Sequence, residues 1–143
     1  MKTTKILLVL AVIAFVFASC SKYEEGPSIS LKSKKSRLAK EWKLVSLYDA
    51  NGDEQSVVPD WENNYTKGGD YSTKVYGIEQ NGTWEFDGDV NLKITYELSG
   101  GGATFKSYEN YEIIRLASDE LWLKDNNSGH VTTNGYELRF EPK

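Results

Sequence analysis

The sequence predicts an all-β domain, a small antiparallel up-and-down barrel of about eight strands. Three observations carry that expectation. Apolar and polar residues alternate with period two, most regularly where Val90, Leu92, Ile94, Tyr96 and Leu98 interleave with Asn91, Lys93, Thr95 and Glu97. Turn residues recur at short intervals, at Asn51-Gly52, Asn81-Gly82, Asp87-Gly88-Asp89 and Gly100-Gly101-Gly102. Consecutive hairpins with one apolar face leave two open edges, and closing the sheet into a barrel removes both.

The first 19 residues stand apart from that domain. Met1, Lys2 and Lys5 make a positive start, and Ile6 to Ala18 run for thirteen residues without a charge. A helix of that length, at ~1.5 Å per residue, falls short of a ~30 Å hydrocarbon core. A positive start, an apolar run and then small residues describe a cleaved signal peptide over 1–19. Phe17-Ala18-Ser19-Cys20 resembles the lipobox of bacterial lipoproteins. The resemblance implies that Cys20 receives a diacylglyceryl group and becomes the mature N-terminus. The competing reading is a buried core cysteine, and the polar run Ser21 to Glu25 that follows argues against it. That run, Ser21-Lys22-Tyr23-Glu24-Glu25, resembles the lipoprotein export signal of Bacteroidetes. It implies an outer-membrane anchor with the domain displayed at the cell surface; a periplasm-facing anchor is the alternative.

The charge balance excludes one class of partner. The chain carries a net charge of −4, which falls to −6 when Lys2 and Lys5 leave with the signal. An acidic chain lacks the electrostatic footprint of a nucleic-acid binder. Cys20 is the only cysteine, so the exported domain has no disulfide and depends on its core.

Residues 20–36 read as a lipidated N-terminus and flexible tether, with Gly26, Pro27 and few large apolar side chains. The barrel domain occupies 37–143. Ser36 to Lys40 form a helical turn with Leu38 inward, and a strand follows from Trp42 to Tyr48, apolar on both faces at its centre. A short strand is expected over Gln55 to Val58. Pro59 then opens a short helix through Tyr65, with Gly68 just past its end. Strands over Val75–Gln80 and Thr83–Asp87 flank Asn81-Gly82, a strong short-range hairpin signal. The alternating strand Val90–Leu98 comes next. Thr104 to Leu116 form a bulged strand, because Tyr111 and Ile113 are out of phase with Ile114 and Leu116. Glu120–Asp125 and Val131–Glu141 complete the set.

"LAKEWKLVS" and "GYELRFEP", with "NGTWEF" as a hairpin centre, resemble the small lipocalin-like domains of Bacteroidetes lipoproteins over Leu38 to Pro142. In lipocalins a Gly-x-Trp opens the first strand, and an arginine of the last strand packs over that tryptophan. Trp42 and Arg139 hold those positions, while Lys40 stands where the glycine would be. The resemblance implies a structural Arg139–Trp42 cation–π pair at the closed end. The alternative is an outward, solvated Arg139 paired with Glu137 or Glu141.

Little in the sequence points to catalysis, and the domain reads as non-enzymatic, without cofactor or metal. His130 is the lone histidine, in the polar loop Asn126 to His130. Asp87, Asp89 and Asn91 alternate as calcium ligands do, but Leu92 occupies the position where an EF-hand requires glycine. The conspicuous stretch is the connection over 55–76, which carries Trp61, Tyr65 and Tyr71. A long aromatic connection fits a segment capping the barrel mouth, or a lid that plugs the barrel as core. Trp61, Tyr65, Tyr71, Trp84 and Tyr96 are the residues expected to line a site for a small apolar or amphipathic ligand. The first alternative is a filled barrel serving as an accessory part of a surface protein complex, with contacts through outer-face residues such as Trp122; the second is a hydrolase, against which the lone His130 and the absence of a catalytic motif argue.

Overall fold

The computed structural model describes residues 32–100, 103–127 and 133–143. Among the described residues the chain is all-β apart from one turn of helix, α1 (Lys34–Leu38). Its strands are β1 (Glu41–Tyr48), β2 (Trp61–Tyr65), β3 (Asp70–Val75), β4 (Ile78–Asp87), β5 (Asn91–Gly100), β6 (Ala103–Leu116), β7 (Leu121–Asp125) and β8 (Glu137–Pro142). They pair antiparallel in sequence order and β8 returns to β1, giving the closed eight-stranded up-and-down barrel that the alternation predicts.

The core follows from the period of two. Leu92, Ile94 and Tyr96 of β5 are buried, as are Leu121 and Leu123 of β7 and Leu138 and Phe140 of β8. Two strands keep their apolar residues inward only by bulging. In β6 the ladder to β7 slips between Ile113 and Arg115, so both Ile113 and Leu116 face the core. In β1 it slips between Leu44 and Ser46, which buries Leu44 and Leu47 and leaves Val45 exposed.

One end of the barrel is plugged. Ser33 caps α1 through its side chain, accepting from the Ser36 N–H at 3.2 Å, and Leu38 is fully buried. Trp42 is fully buried against it and donates its indole N–H to the Leu38 carbonyl at 2.8 Å. Lys34 donates to the Gly88 and Asp89 carbonyls of the β4–β5 turn and lies 3.9 Å over Phe86. Lys40 donates to the Ser118 carbonyl of the β6–β7 turn. The helix thus begins at Lys34, inside the stretch read as tether.

The structure corrects four sequence expectations. Gln55–Val58 is not a strand; only an isolated bridge joins Tyr48 and Glu54. The helix expected from Pro59 to Tyr65 is instead strand β2, and residues 61–75 form wall rather than a lid. The helical reading fails because β2 turns Asn63 inward, where hydrogen bonds satisfy it, so the strand lacks an apolar alternation. Asn81-Gly82 does not turn: it sits inside the continuous strand β4, and the hairpin turn is Tyr76-Gly77. Both turn residues have positive φ, 49° and 82°, the geometry a two-residue hairpin demands. Finally, the described part of the last strand is Glu137–Pro142, preceded by a turn at Thr133–Gly135. Val131 and Thr132, like Cys20 and His130, lie outside the described residues.

Candidate functional site

Trp61, Tyr65, Tyr71, Trp84 and Tyr96 all take inner-face positions, and four of the five form one ring-to-ring chain. Tyr65 meets Tyr71 at 5.0 Å and the edge of Trp84 at 5.9 Å, and Tyr71 meets Tyr96 at 6.0 Å. Trp61, half-buried, instead stands edge-on to Phe140 at 6.0 Å. Tyr65, Tyr71, Trp84 and Tyr96 are at most 5% exposed, so they form a packed floor inside the barrel rather than an open lining.

The polar tips of this cluster are knitted to each other. Asn63 Oδ1 accepts from the Trp61 indole at 2.8 Å and from the Tyr71 hydroxyl at 2.9 Å. Trp61 also donates to Thr73 Oγ1 at 2.8 Å. The Trp84 indole donates to the Thr66 carbonyl at 2.9 Å. On the far wall, Glu109 Oε2 accepts from the Tyr111 hydroxyl at 2.9 Å and from Tyr96 at 3.3 Å. These bonds are what let so many polar atoms sit inside a barrel. Burial raises the hydroxyl pKa of Tyr65, Tyr71, Tyr96 and Tyr111 above the ordinary tyrosine value near 10, and the Glu109 carboxylate adds to the shift in all four.

Above this floor the barrel has an apolar lip that the sequence reading missed. The plug closes the end formed by the start of β1 and the end of β8; at the opposite end lie the β3–β4 and β5–β6 hairpin tips. There Tyr76, Ile78, Leu98 and Phe105 are each half or more exposed. Register shows that Ile78, Leu98 and Phe105 keep the inward parity. Ile78 opposes Val75, and Leu98 opposes Phe105, two residues beyond Tyr96 and Ser107. The signal was present: the alternation in β5 runs through Leu98 without a break.

The wall is split at this end. The β4–β5 ladder stops at Thr83↔Thr95, while β3–β4 continues to Val75↔Ile78 and β5–β6 to Gly100↔Ala103. Gly82 marks the base of the split: a Cβ there would stand 2.5 Å from the Thr95 carbonyl oxygen.

Arg139 does not pack on Trp42. It lies on the outer face, stacked between Trp122 at 4.0 Å and Tyr48 at 4.2 Å, and its Nε donates to Glu137 at 2.6 Å. Parity decides this, since Leu138 and Phe140 take the inward positions of β8. Arg115, ion-paired with Glu120 at 2.6 Å, lies 5.3 Å from the Trp122 ring, so two guanidinium groups flank that indole. Tyr48, Trp122 and Arg139 border an outer groove of about 530 Å³ with Asn51, Gly52 and Lys124. Asp87 and Asn91 are exposed and pair where β4 ends and β5 begins, and Asp89 is exposed in the turn between them. Among the described residues, no three His, Cys, Asp or Glu side chains cluster to hold a metal.

A closed, eight-stranded antiparallel barrel with a plugged base and exposed apolar residues at the opposite rim fits a lipocalin-like fold. No family model matches the chain, and no curated protein is significantly similar to it.

Proposed function

We propose that this chain is a non-enzymatic outer-membrane lipoprotein, anchored through Cys20, whose barrel takes a small apolar or amphipathic ligand at its open end. The observation that carries the reading is the lip. Exposed Ile78, Leu98 and Phe105 face inward above a floor of hydrogen-bonded aromatic side chains. An amphipathic molecule fits that arrangement, with its apolar part against the lip and its polar end toward Asn63, Tyr96 and Glu109. The lip residues, rather than the buried floor rings, make the first contact. Signal peptide, lipobox resemblance and acidic run support surface anchoring, and the described chain enters the barrel at the plugged end, opposite the lip. Trp122 offers less to an outer-face partner, since Arg115 and Arg139 already flank its ring.

Trp61 stands near the mouth as a reporter. A panel of fatty acids, lysophospholipids and neutral alkyl glycosides should change tryptophan emission, and Phe105→Glu should abolish the change without unfolding the barrel. A well-folded protein that answers to no member of the panel refutes ligand binding. Mass spectrometry of the membrane-extracted protein tests the anchor, and an unmodified Cys20 refutes it.

A further inference from the structure

The split between β4 and β5 has chemistry of its own. Residues 78–82 of β4 pair with β3 on one edge only, and residues 96–100 of β5 pair with β6 on one edge only. The two unpaired edges face each other across the split, and each runs about 17 Å, taking ~3.4 Å per residue. An open strand edge presents a row of backbone N–H and C=O groups, and an extended polypeptide matches that row. Neither edge carries a lysine, a proline or a bulge, the devices that commonly blunt an exposed edge.

The side chains beside the split give the sequence pattern of its occupant. On the inner face Ile78 and Leu98 are exposed and apolar. On the outer face Glu79 and Glu97 flank the split, both exposed and both acidic. Lys106, across the β5–β6 ladder, pairs with Glu97 at 3.2 Å but lies on the strand away from the split. A strand lying between the arms therefore meets Ile78 and Leu98, with the polar Gln80, on its inner side and Glu79 and Glu97 on its outer side, while Lys74 and Lys106 lie one strand further out on either flank. Gly82 sets its stop, because β4 and β5 come into close approach there.

We propose that the notch between β4 and β5 binds an extended peptide segment of a partner protein by strand addition, with apolar side chains turned inward and basic ones outward. The notch shares Ile78 and Leu98 with the lip, but strand addition rests on the open backbone edges of β4 and β5 and does not depend on the amphiphile reading.

The test uses the mature chain and a short fluorescent peptide of alternating valine and lysine. Anisotropy should show saturable binding. Three controls have distinct meanings: a peptide of the same composition with its lysines in one block, the same sequence with alternate amides N-methylated, and a valine–glutamate analogue. All three should bind at least about tenfold more weakly, because they lose the register, the backbone donors and the charge match respectively. Glu79→Lys/Glu97→Lys, both at exposed positions, should weaken the lysine peptide by about tenfold and reverse the preference toward the glutamate peptide. Equal binding of the N-methylated peptide overturns strand addition. Equal binding of the block peptide leaves only charge attraction and overturns it too. Concentration-dependent dimerisation that the peptide does not reverse would put a second copy in the notch, against the proposal.

Discussion

Replacing Gly82 with alanine separates two accounts of the same dipeptide. Were Asn81-Gly82 a turn, Gly82 would be needed for a positive φ and Asn81 would matter with it. In the structure Gly82 lies within β4, and its glycine is required by a neighbour: the added Cβ would stand 2.5 Å from Thr95 O and 3.2 Å from Tyr96 Cδ1. Ordinary contact is about 3.5–4.0 Å, so β4 and β5 must part by roughly 1 Å where their ladder ends. Overpacking of that kind costs ~1–3 kcal/mol. Against it stands a gain of ~0.4–1 kcal/mol from a stiffer unfolded chain. The net expectation is a loss of about 1–2 kcal/mol, or roughly 5–10 °C in Tm for a domain of this size. Urea unfolding followed by tryptophan fluorescence measures it, with the m-value held as a check on the denatured state. Thr95→Ala should give no rescue, because the clashing atom is backbone. Asn81→Ala, at an exposed mid-strand position, should stay within ~0.5 kcal/mol. Gly82→Ala at or above wild-type stability, or Asn81→Ala as costly as Gly82→Ala, would refute the reasoning.

Three further expectations follow from the packing. Leu38→Ala should cost ~2–5 kcal/mol, since the plug's one fully buried side chain leaves a cavity beneath Trp42; a loss under ~1 kcal/mol would mean that α1 does not close the base. Stability should be fully present below the unfolded tyrosine value near 10 and fall as pH rises beyond it, because the folded barrel holds protons that the unfolded chain releases. Tyr65, Tyr71 and Tyr111 each add about 1.4 kcal/mol per pH unit to that slope, and phenolate absorbance titrating all tyrosines together near 10 in the folded protein would contradict it. A double-mutant cycle should couple Arg139 to Trp122 by ~0.5–2 kcal/mol and leave Arg139 and Trp42 additive; the reverse pattern would return the arginine to the closed end.

What the sequence shows of this barrel depends on which way its polar residues point. β5 is legible end to end because every inward residue from Leu92 to Leu98 is apolar or tyrosine. β6 announces its own bulge, since Tyr111, Ile113 and Leu116 cannot share a face without one. β2 and β3 are hidden for the opposite reason. Asn63 and Thr73 face inward, and only the tertiary network of Trp61 and Tyr71 explains why that is tolerated. With those strands unread, the total of about eight is reached by counting an absent strand at 55–58 and splitting β4 in two. Tyr76-Gly77 escapes notice because tyrosine rarely takes positive φ, whereas Asn81-Gly82 is a familiar turn pair. The aromatic residues expected at the site do converge, for they share inward parity. Their burial was not readable, since sequence alternation separates inside from outside but not floor from mouth.

The ring has one ladder unlike the rest. Seven of the eight join strands adjacent in the chain, whereas β1 pairs with β8, bringing Trp42 beside Pro142 and Tyr48 beside Glu137. The Lys143 N–H donates to the Glu41 carbonyl at 3.1 Å, so the chain just past β8 is fastened to the first strand. Hairpins can form as they are synthesised, each with little loop entropy to overcome. The ring itself waits for β8: until that strand leaves the ribosome, the growing chain is an open sheet with two adhesive margins. Loss of β8 is therefore a defect of closure, felt first as slow folding and self-association of the nascent sheet.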